Sequence, residues 1–169
     1  MVDGAFTSRA ESARHIALLA DYDGVVHLRS FGKFFGMAGL RLGFAIGTPE
    51  MTAGLTAMLG PWAINAAALS IGATALGDHA WADTHQHWLD AAARRLAELF
   101  KAHGLKVSGG CSLFQTVSDP RAHALHEHLA HHQIWTRKYR DFPTMVRCGI
   151  PATDSEFEAL DRALGCWNG

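Results

Sequence analysis

The sequence lacks the features that mark several classes of protein. Its 15 lysine and arginine residues nearly balance 16 aspartate and glutamate residues, and the formal net charge is −1. Because nucleic-acid binding depends on clustered positive charge, this balance gives no indication of a nucleic-acid partner. No apolar stretch reaches the ~18 residues that a membrane-spanning helix needs, and the first residues do not have the pattern of a signal peptide. We therefore expect a cytoplasmic protein with no membrane partner.

Cysteine is also scarce. The three residues, Cys111, Cys148 and Cys166, are odd in number and show no C-x-x-C spacing. This pattern predicts reduced thiols and not a disulfide framework. Cys148 lies next to Arg147, but a small buried side chain is the simpler interpretation of it.

Histidine, by contrast, is abundant, with eleven residues. Five of them lie on one predicted helix: His123, His126, His128, His131 and His132. The pair His128 and His132 is spaced so that it could share a metal ion, and so is the pair His123 and His126. Because no cysteine or carboxylate accompanies them, we predict a solvated helix face and no metal site.

The remaining composition is that of a globular chain, with 49% hydrophobic and 18% charged residues. Its length is in the range of one domain and can bury a core. Alternating patterns predict strands at 25–28, 40–46, 112–117 and 145–149, and the glycine pair at 109–110 predicts a turn.

Helices are predicted between these strands. The first covers residues 8–20 and is followed by a turn at 21–24. Helix starts are predicted at Thr48-Pro49, at Asp119-Pro120 and at Thr153-x-x-Glu156, which has the spacing of a capping box.

The most informative stretch is residues 29–43, RSFGKFFGMAGLRLG. Lys33 lies between a predicted strand and a glycine-rich loop, with Ser30 three residues before it and Arg41 eight after. An amine attacks an aldehyde only when unprotonated, and partial desolvation beside a cation favours that form. Arg41 can grip a phosphate bidentately and Ser30 adds a hydroxyl donor. Lys33 alone fits a buried corner equally well, but the spaced set predicts a pyridoxal phosphate (PLP) lysine.

Ser30-x-x-Lys33 followed by GLRLG at 39–43 resembles the signature of the class I/II aminotransferases, which are fold-type I PLP enzymes. Within that family, the form SFGKFFGMAGLRLGFA is most similar to the threonine-phosphate decarboxylases of cobalamin biosynthesis, relatives of the histidinol-phosphate aminotransferases. The resemblance implies that Lys33 forms the Schiff base with PLP. It also implies that Ser30 and Arg41 hold the cofactor phosphate.

Two further positions extend the resemblance. VDGAF at 2–6 resembles the strand end whose aspartate pairs with the pyridinium nitrogen, which assigns that role to Asp3. MVRCG at 145–149 resembles the late strand whose arginine binds the substrate carboxylate, which assigns that role to Arg147. At position 4 the family usually has Glu, whereas this chain has Gly4.

The resemblance also implies the fold and its extent. In the family, the aspartate follows a long N-terminal half, so the chain is expected to be the C-terminal portion of such an enzyme. The expected class is α/β: part of an aspartate aminotransferase-like large domain at 1–85 and a small α+β domain at 86–169.

The activity that the resemblance implies is decarboxylation of L-threonine O-3-phosphate to (R)-1-aminopropan-2-ol O-2-phosphate, a carbon–carbon lyase reaction. The alternatives are a transaminase of the histidinol-phosphate type and a truncated or partner-dependent chain without activity of its own. Arg137, Lys138 and Arg140 form a basic cluster, which is either a solvated edge or the source of a ligand for the substrate phosphate. A homodimer is expected by analogy with the family.

Overall fold

The computed structural model describes residues 1–19, 22 and 24–167. Part of the turn predicted at 21–24 lies outside these residues. The chain divides into two compact units, Met1–Asp83 and Thr84–Gly169. The elements that begin in the first unit are β1 (Val2–Asp3), α1 (Arg9–Leu19), β2 (His27–Ser30), β3 (Gly43–Ile46), α2 (Pro49–Leu59), α3 (Ala66–Gly77) and α4 (His79–Ala102).

The sheet of the first unit has three strands in the order β1, β2, β3. β1 runs parallel to β2, with Asp3 opposite Leu28, whereas β3 is antiparallel to β2, with Gly43 opposite Ser30. Side chains that are paired across strands, or two apart along a strand, point to the same face. One face of this sheet therefore carries Asp3, Leu28 and Ser30 together.

The strands differ from their predicted bounds. β2 begins two residues later than the predicted strand at 25–28, and β3 covers only the last four residues of the predicted strand at 40–46. The cause of the second difference is Arg41, which has a left-handed backbone (φ 54°, ψ 41°) and follows a 3-10 turn at Ala38–Leu40. An extended strand cannot pass through that conformation.

The first unit buries little of its apolar surface. Its core cluster consists of Phe31, Leu42 and Ala68. Helix α3 buries Ala68 and Gly72, whereas α2 buries none of its residues. Large side chains on and between these helices are exposed: Met58, Leu59, Trp62, Ile64, Leu69, Ile71 and Leu76.

The second unit contains an antiparallel sheet with the strand order β4, β5, β7, β6. Its elements after α4 are β4 (Lys106–Cys111), β5 (Phe114–Ser118), α5 (Ala122–His131), β6 (Arg137–Lys138), β7 (Met145–Gly149) and α6 (Asp154–Gly165). Helices and strands together confirm the predicted α/β class. In the part of the chain that the structure describes, no helix is both long and apolar enough to cross a bilayer.

The predicted turn at Gly109 and Gly110 is wrong, because both residues lie within β4. The register shifts between Val107 and Gly109, which places a bulge there. A Cβ at Gly110 would lie 2.6 Å from the carbonyl oxygen of Phe114 and 2.8 Å from Cδ of Gln115. Gly110 is therefore needed for close approach to β5 and not for reversal of the chain.

Two of the predicted helix starts are confirmed and one is wrong. The Thr48 side chain caps α2, and Thr153 with Glu156 forms the capping box of α6. The start at 119–120 is wrong because Asp119 Oδ1 accepts a hydrogen bond from the backbone N–H of Arg121 at 2.7 Å. This bond shapes a turn, and α5 begins only after it.

The core of the second unit is continuous. It joins α4, α5 and α6 to one face of the sheet. The largest fully buried aliphatic and aromatic side chains in it are Leu96, Phe100, Leu125, Leu129, Leu160 and Leu164.

The histidines of α5 are partly built into this core. His126 is 2% exposed and its Nδ1 lies 2.9 Å from the Thr136 hydroxyl. His128 Nε2 bonds to the carbonyl oxygen of Ala163 at 2.7 Å. The prediction of a solvated face is therefore wrong for His126. Among the described residues, no group of three or more His, Cys, Asp or Glu side chains is placed to hold a metal ion.

Candidate functional site

The strand ends of the first unit place three of the predicted cofactor residues at one edge of the sheet. Asp3 ends β1 and Ser30 ends β2. Because the two strands are parallel, their carboxyl ends lie side by side. Lys33 follows three residues later, and its Nζ lies 5.1 Å from the ring centroid of Phe6, which is in the turn after β1. Carboxyl ends of parallel strands are the usual place for ligands in α/β sheets.

A tight turn presents Lys33. The backbone N–H of Gly36 donates to the carbonyl of Lys33 at 2.9 Å, and Gly36 has a φ of 67°, which a glycine adopts without strain. The Lys33 side chain is exposed. Ser30 Oγ accepts a hydrogen bond from Gly32 N–H at 3.1 Å, which leaves its own hydroxyl hydrogen as a donor.

Arg41 is exposed at the other end of the same loop. One guanidinium nitrogen donates to the carbonyl of Ala38 at 3.0 Å. A guanidinium has five N–H donors, so this bond leaves the group able to grip an anion. The left-handed backbone of Arg41 turns the chain between the loop and β3.

Small residues lie across from the predicted site. Gly43 is opposite Ser30, and Ala45 is opposite Leu28. These four residues share the face of the sheet that carries Asp3. A flat molecule could therefore approach the backbone closely at this edge.

Arg29 is a contributor that the sequence analysis did not single out. One of its guanidinium nitrogens donates to the Gly4 carbonyl at 2.7 Å, to the Thr7 carbonyl at 3.2 Å and to the Thr7 hydroxyl at 2.6 Å. Burial lowers the pKa of Arg29 below its ordinary value. The bonds tie β2 to the turn that follows Asp3. Because 22 or 25 residues separate the partners, no local spacing pattern indicates these bonds.

The structure also explains Gly4, where the chain departs from the family pattern. A Cβ at this position would lie 2.6 Å from Cε1 of His27 and 2.9 Å from the carbonyl oxygen of Leu28. His27 is 2% exposed and its Nε2 lies 3.4 Å from the hydroxyl of Ser12. Buried His27 therefore occupies the space that a side chain at position 4 would need.

In the second unit, Arg147 lies in a row of residues that are paired across three neighbouring strands. Arg147 on β7 is paired with Thr116 on β5 and with Arg137 on β6. Its guanidinium carbon lies 4.8 Å from the ring centroid of Phe114. The neighbouring residues of β7, Val146 and Cys148, are buried in the core, so the row lies on the opposite, open face of the sheet.

The register separates the members of the basic cluster. Lys138 is paired with buried Val146, and its Nζ forms an ion pair with Glu127 of α5 at 2.5 Å. Because side chains alternate along a strand, Arg137 points to the opposite face from Lys138 and shares a face with Arg147. The sequence alone does not distinguish Arg137 from Lys138, whereas the strand register does.

The residues at the edge of the first sheet fit PLP. The hydroxyl of Ser30 and the guanidinium of Arg41 match a phosphate dianion, and the carboxylate of Asp3 matches a protonated ring nitrogen. The amine of Lys33 matches the aldehyde. Arg147 belongs to the second unit, and its predicted role is in substrate binding.

Comparison with known proteins gives a consistent result. The chain matches the family described as Aminotransferase class I and II over residues 1–163. It is 40% identical over 164 residues to a threonine-phosphate decarboxylase from Pseudomonas aeruginosa, covering 97% of this chain and 49% of that protein. It is 28% identical over 167 residues to histidinol-phosphate aminotransferase 1 from Trichormus variabilis, with 97% and 47% covered. The chain thus spans about half the length of the curated relatives it matches.

A solved structure supports the same fold. The histidinol-phosphate aminotransferase from Sinorhizobium meliloti, in complex with pyridoxal-5'-phosphate, matches with a TM-score of 0.82 and 23% identity over 96% of this chain and 46% of that one. At this identity the likeness shows the fold alone. It confirms the predicted PLP-dependent transferase fold, and the predicted cofactor is confirmed as that of the family.

Proposed function

Because the chain belongs to the class I and II aminotransferase family, we propose that it supplies the cofactor lysine and the substrate anion site of a PLP-dependent enzyme. The substrate class that we assign is a phosphorylated amino acid. The specific reaction that we favour is decarboxylation of L-threonine O-3-phosphate.

The observation that carries the proposal is the direct cross-strand pairing of Arg137 with Arg147. Like charges at paired positions on adjacent strands are destabilising. Two guanidinium groups on one face of the sheet match a ligand with two anionic groups, and an amino-acid phosphate has both a carboxylate and a phosphate. We assign the carboxylate to Arg147 and the phosphate to Arg137. Lys138 points to the other face and pairs with Glu127, so it is a matched negative control.

The residues of the first unit have complementary roles in this proposal. When bound, PLP supplies an aldehyde that takes up the substrate amine and a ring that accepts the electron pair released at Cα. Ser30 and Arg41 hold the cofactor phosphate, and the Asp3 carboxylate keeps the ring nitrogen protonated. As CO₂ leaves, the bond between Cα and the carboxyl carbon breaks, and the Lys33 ammonium returns a proton to Cα.

The 40% identity to a threonine-phosphate decarboxylase supports the decarboxylase assignment. The similarity to histidinol-phosphate aminotransferases supports transamination as the second candidate. In that reaction Lys33 would remove a proton from Cα, the cofactor would take up the amino group, and the substrate would become an oxo compound. The two reactions therefore give different products: a decarboxylase releases CO₂ and keeps the amine, whereas a transaminase keeps the carbon skeleton and loses the amine.

We also infer that a second copy of the chain covers helices α2 and α3. From Gly43 to Gly77 the sequence has one charged residue, Glu50, and the exposed side chains there include Trp62 at 92% and Leu69 at 55%. An apolar surface without charge can meet its own copy without like-charge repulsion, as a two-fold interface requires. Large exposed apolar patches commonly mark such interfaces.

Sedimentation of the chain over a range of concentrations tests this surface. We expect a dimer for the unmodified chain and a monomer for Leu69→Glu. Leu18→Glu, at a residue that is 68% exposed on α1, is the control and should remain dimeric. A monomer at every concentration, or a dimer that Leu69→Glu leaves unchanged, would refute the assignment.

The function itself is tested with the 169-residue chain. PLP titration, borohydride trapping and peptide mapping should place the adduct on Lys33, and Lys33→Ala should abolish it. Binding of L-threonine O-3-phosphate should weaken about 10- to 100-fold in Arg137→Ala, the range for loss of a charged hydrogen bond, and remain unchanged in Lys138→Ala. Equal losses in the two variants would contradict the assignment of Arg137. Product analysis then distinguishes CO₂ release from loss of the amine.

A further inference from the structure

The loop that carries Lys33 has extensive aromatic packing. Phe31 and Phe35 are stacked, with ring centroids 4.3 Å apart and an interplanar angle of 11°. Phe34 meets Phe35 edge to face at 5.1 Å. Phe31 is 2% exposed and belongs to the core cluster of the unit. The aromatic rings on both sides of Lys33 therefore fix its turn to the body of the unit.

Trp81, in the first turn of α4, completes this packing. Its ring is stacked on Phe35 with centroids 5.8 Å apart and an interplanar angle of 15°. It also contacts Phe34 edge to face at 6.0 Å, with an angle of 75°. Trp81 therefore contacts both of the aromatic residues that immediately follow Lys33 in the sequence.

We propose that Trp81 is a positioning residue for Lys33. Stacked on Phe35 and edge-on to Phe34, its indole ring holds the turn that presents the Lys33 amine. The effect of Trp81 on cofactor binding rests on the proposed role of Lys33. Its effect on the conformation of the turn does not depend on that role. Trp81 is 41% exposed, so it contributes less to the buried core than a fully enclosed tryptophan would.

The loop contains two hydrogen bonds that report on this positioning. Gly36 N–H donates to the Lys33 carbonyl at 2.9 Å, and Met37 N–H donates to the Phe31 carbonyl at 2.9 Å. If Trp81 holds the turn, its removal will let both bonds open more often. Aromatic pairs of this kind contribute enough beyond their buried area for an effect of about tenfold.

The test compares Trp81→Leu with Trp81→Phe and with Trp88→Leu. Leucine removes the aromatic ring, whereas phenylalanine keeps one. Trp88 is a matched control because it lies on the same helix, is 43% exposed and stacks on His85 instead of on the Lys33 loop. Phe35→Leu breaks the same stack from the side of the loop, so the test does not depend on one variant.

We measure amide hydrogen exchange of Gly36 and Met37 in the chain without cofactor, and the affinity for PLP by borohydride trapping on Lys33. In Trp81→Leu and Phe35→Leu, exchange should accelerate about tenfold and trapping should need about tenfold more PLP. Trp81→Phe should restore most of both values, and Trp88→Leu should change neither.

Unchanged exchange at Gly36 and Met37 in both ring-removing variants would overturn the inference. So would an equal acceleration in Trp88→Leu, because it would indicate a general effect of losing a helix tryptophan. If the unmodified chain forms no adduct on Lys33, the proposed function fails instead, and amide exchange still decides the role of Trp81.

Discussion

The two units are almost equal in length but differ greatly in how much apolar surface they bury. The second unit packs three helices and one face of a four-stranded sheet around a continuous core. In the first unit the core cluster is Phe31, Leu42 and Ala68. The difference does not arise from composition, because α3 is among the most apolar helices of the chain and yet buries only Ala68 and Gly72.

What differs is the number of packed layers. A helix that is apolar on all sides is stable when it is covered on all sides, and a sheet needs a second layer on its apolar face. The second unit provides these layers from its own residues. The first unit has the predicted cofactor residues at the edge of its sheet and leaves α2 and α3 exposed, so its stability depends more on whatever covers those helices.

The largest loss of stability is expected from a change at Leu125, which is fully buried in the second unit. Leu125→Ala should lower the free energy of unfolding by about 2–5 kcal/mol, because it removes buried methyl groups and leaves a cavity. Urea unfolding of the full chain measures this loss.

The matched change in the first unit is Leu69→Ala, at a residue that is 55% exposed. Measured below the concentration at which copies associate, it should cost less than about 0.5 kcal/mol. If Leu125→Ala and Leu69→Ala lowered the free energy of unfolding equally, the two units would not differ in buried core as described.

The next effect is expected at Gly4, where the fold leaves no room for a side chain. Gly4→Ala should cost about 1–3 kcal/mol, because the new methyl group would overlap the ring of His27. In a chain that already has His27→Ala, the same change should cost less than in the unmodified chain, because the ring is gone and the 2.9 Å approach to the Leu28 carbonyl oxygen is what remains. Unfolding measurements on the four chains of this double-mutant cycle give the coupling, and additive losses would contradict the steric explanation.

The same contrast explains how much of the fold was predictable. Two local signals were reliable: the Thr153 capping box and the Thr48 cap lie where the sequence predicts them. One error came from a local hydrogen bond, which the backbone N–H of Arg121 donates to Asp119, and another came from non-local geometry. Gly110 was taken for a turn residue because nothing in the local sequence indicates that Phe114 and Gln115 lie too close for a side chain. The predicted strand at 40–46 begins too early because Arg41 has a left-handed backbone, which a non-glycine residue rarely adopts.

In the candidate site, too, the local features were predictable and the features that depend on strand pairing were not. The spacing of Ser30, Lys33 and Arg41 was visible because all three lie in one short stretch of sequence, 30–41. The contact between His27 and Gly4, and the alignment of Arg137 with Arg147, depend on strand pairing and have no local signal. Sequence therefore indicated the chemistry of the site, and register was needed to choose between the basic residues.

A smaller effect is expected when the same cap is removed from each unit. Thr153→Ala should destabilise by about 1 kcal/mol, because the capping box serves a helix that packs into the core. Thr48→Ala should cost less than about 0.5 kcal/mol, because α2 buries none of its residues and can fray locally. Urea unfolding of both variants tests the difference, and a larger loss from Thr48→Ala would reverse the ranking of the units.

The smallest effect is expected from pH. Burial, followed by the charges of Arg29 and His15, lowers the pKa of His27 below its ordinary 6.5, while Asp3 acts in the opposite direction. The unfolded chain therefore takes up a proton near pH 6.5 that folded His27 does not, and the free energy of unfolding should fall as the pH drops below that value. In the second unit, the hydrogen bond from the backbone N–H of Arg121 lowers the pKa of Asp119 below 3.8. The stability that the ionised Asp119 contributes should therefore be lost only as the pH falls below about 3.8.

Urea unfolding of the unmodified chain and of His27→Gln, repeated from pH 7 to about pH 5, separates this contribution from those of the other histidines. The difference in stability between the two chains should move in favour of His27→Gln as the pH falls, because glutamine takes up no proton. A constant difference across the range would mean that His27 is protonated equally in the folded and unfolded chains, and that its burial beside Gly4 does not restrict protonation.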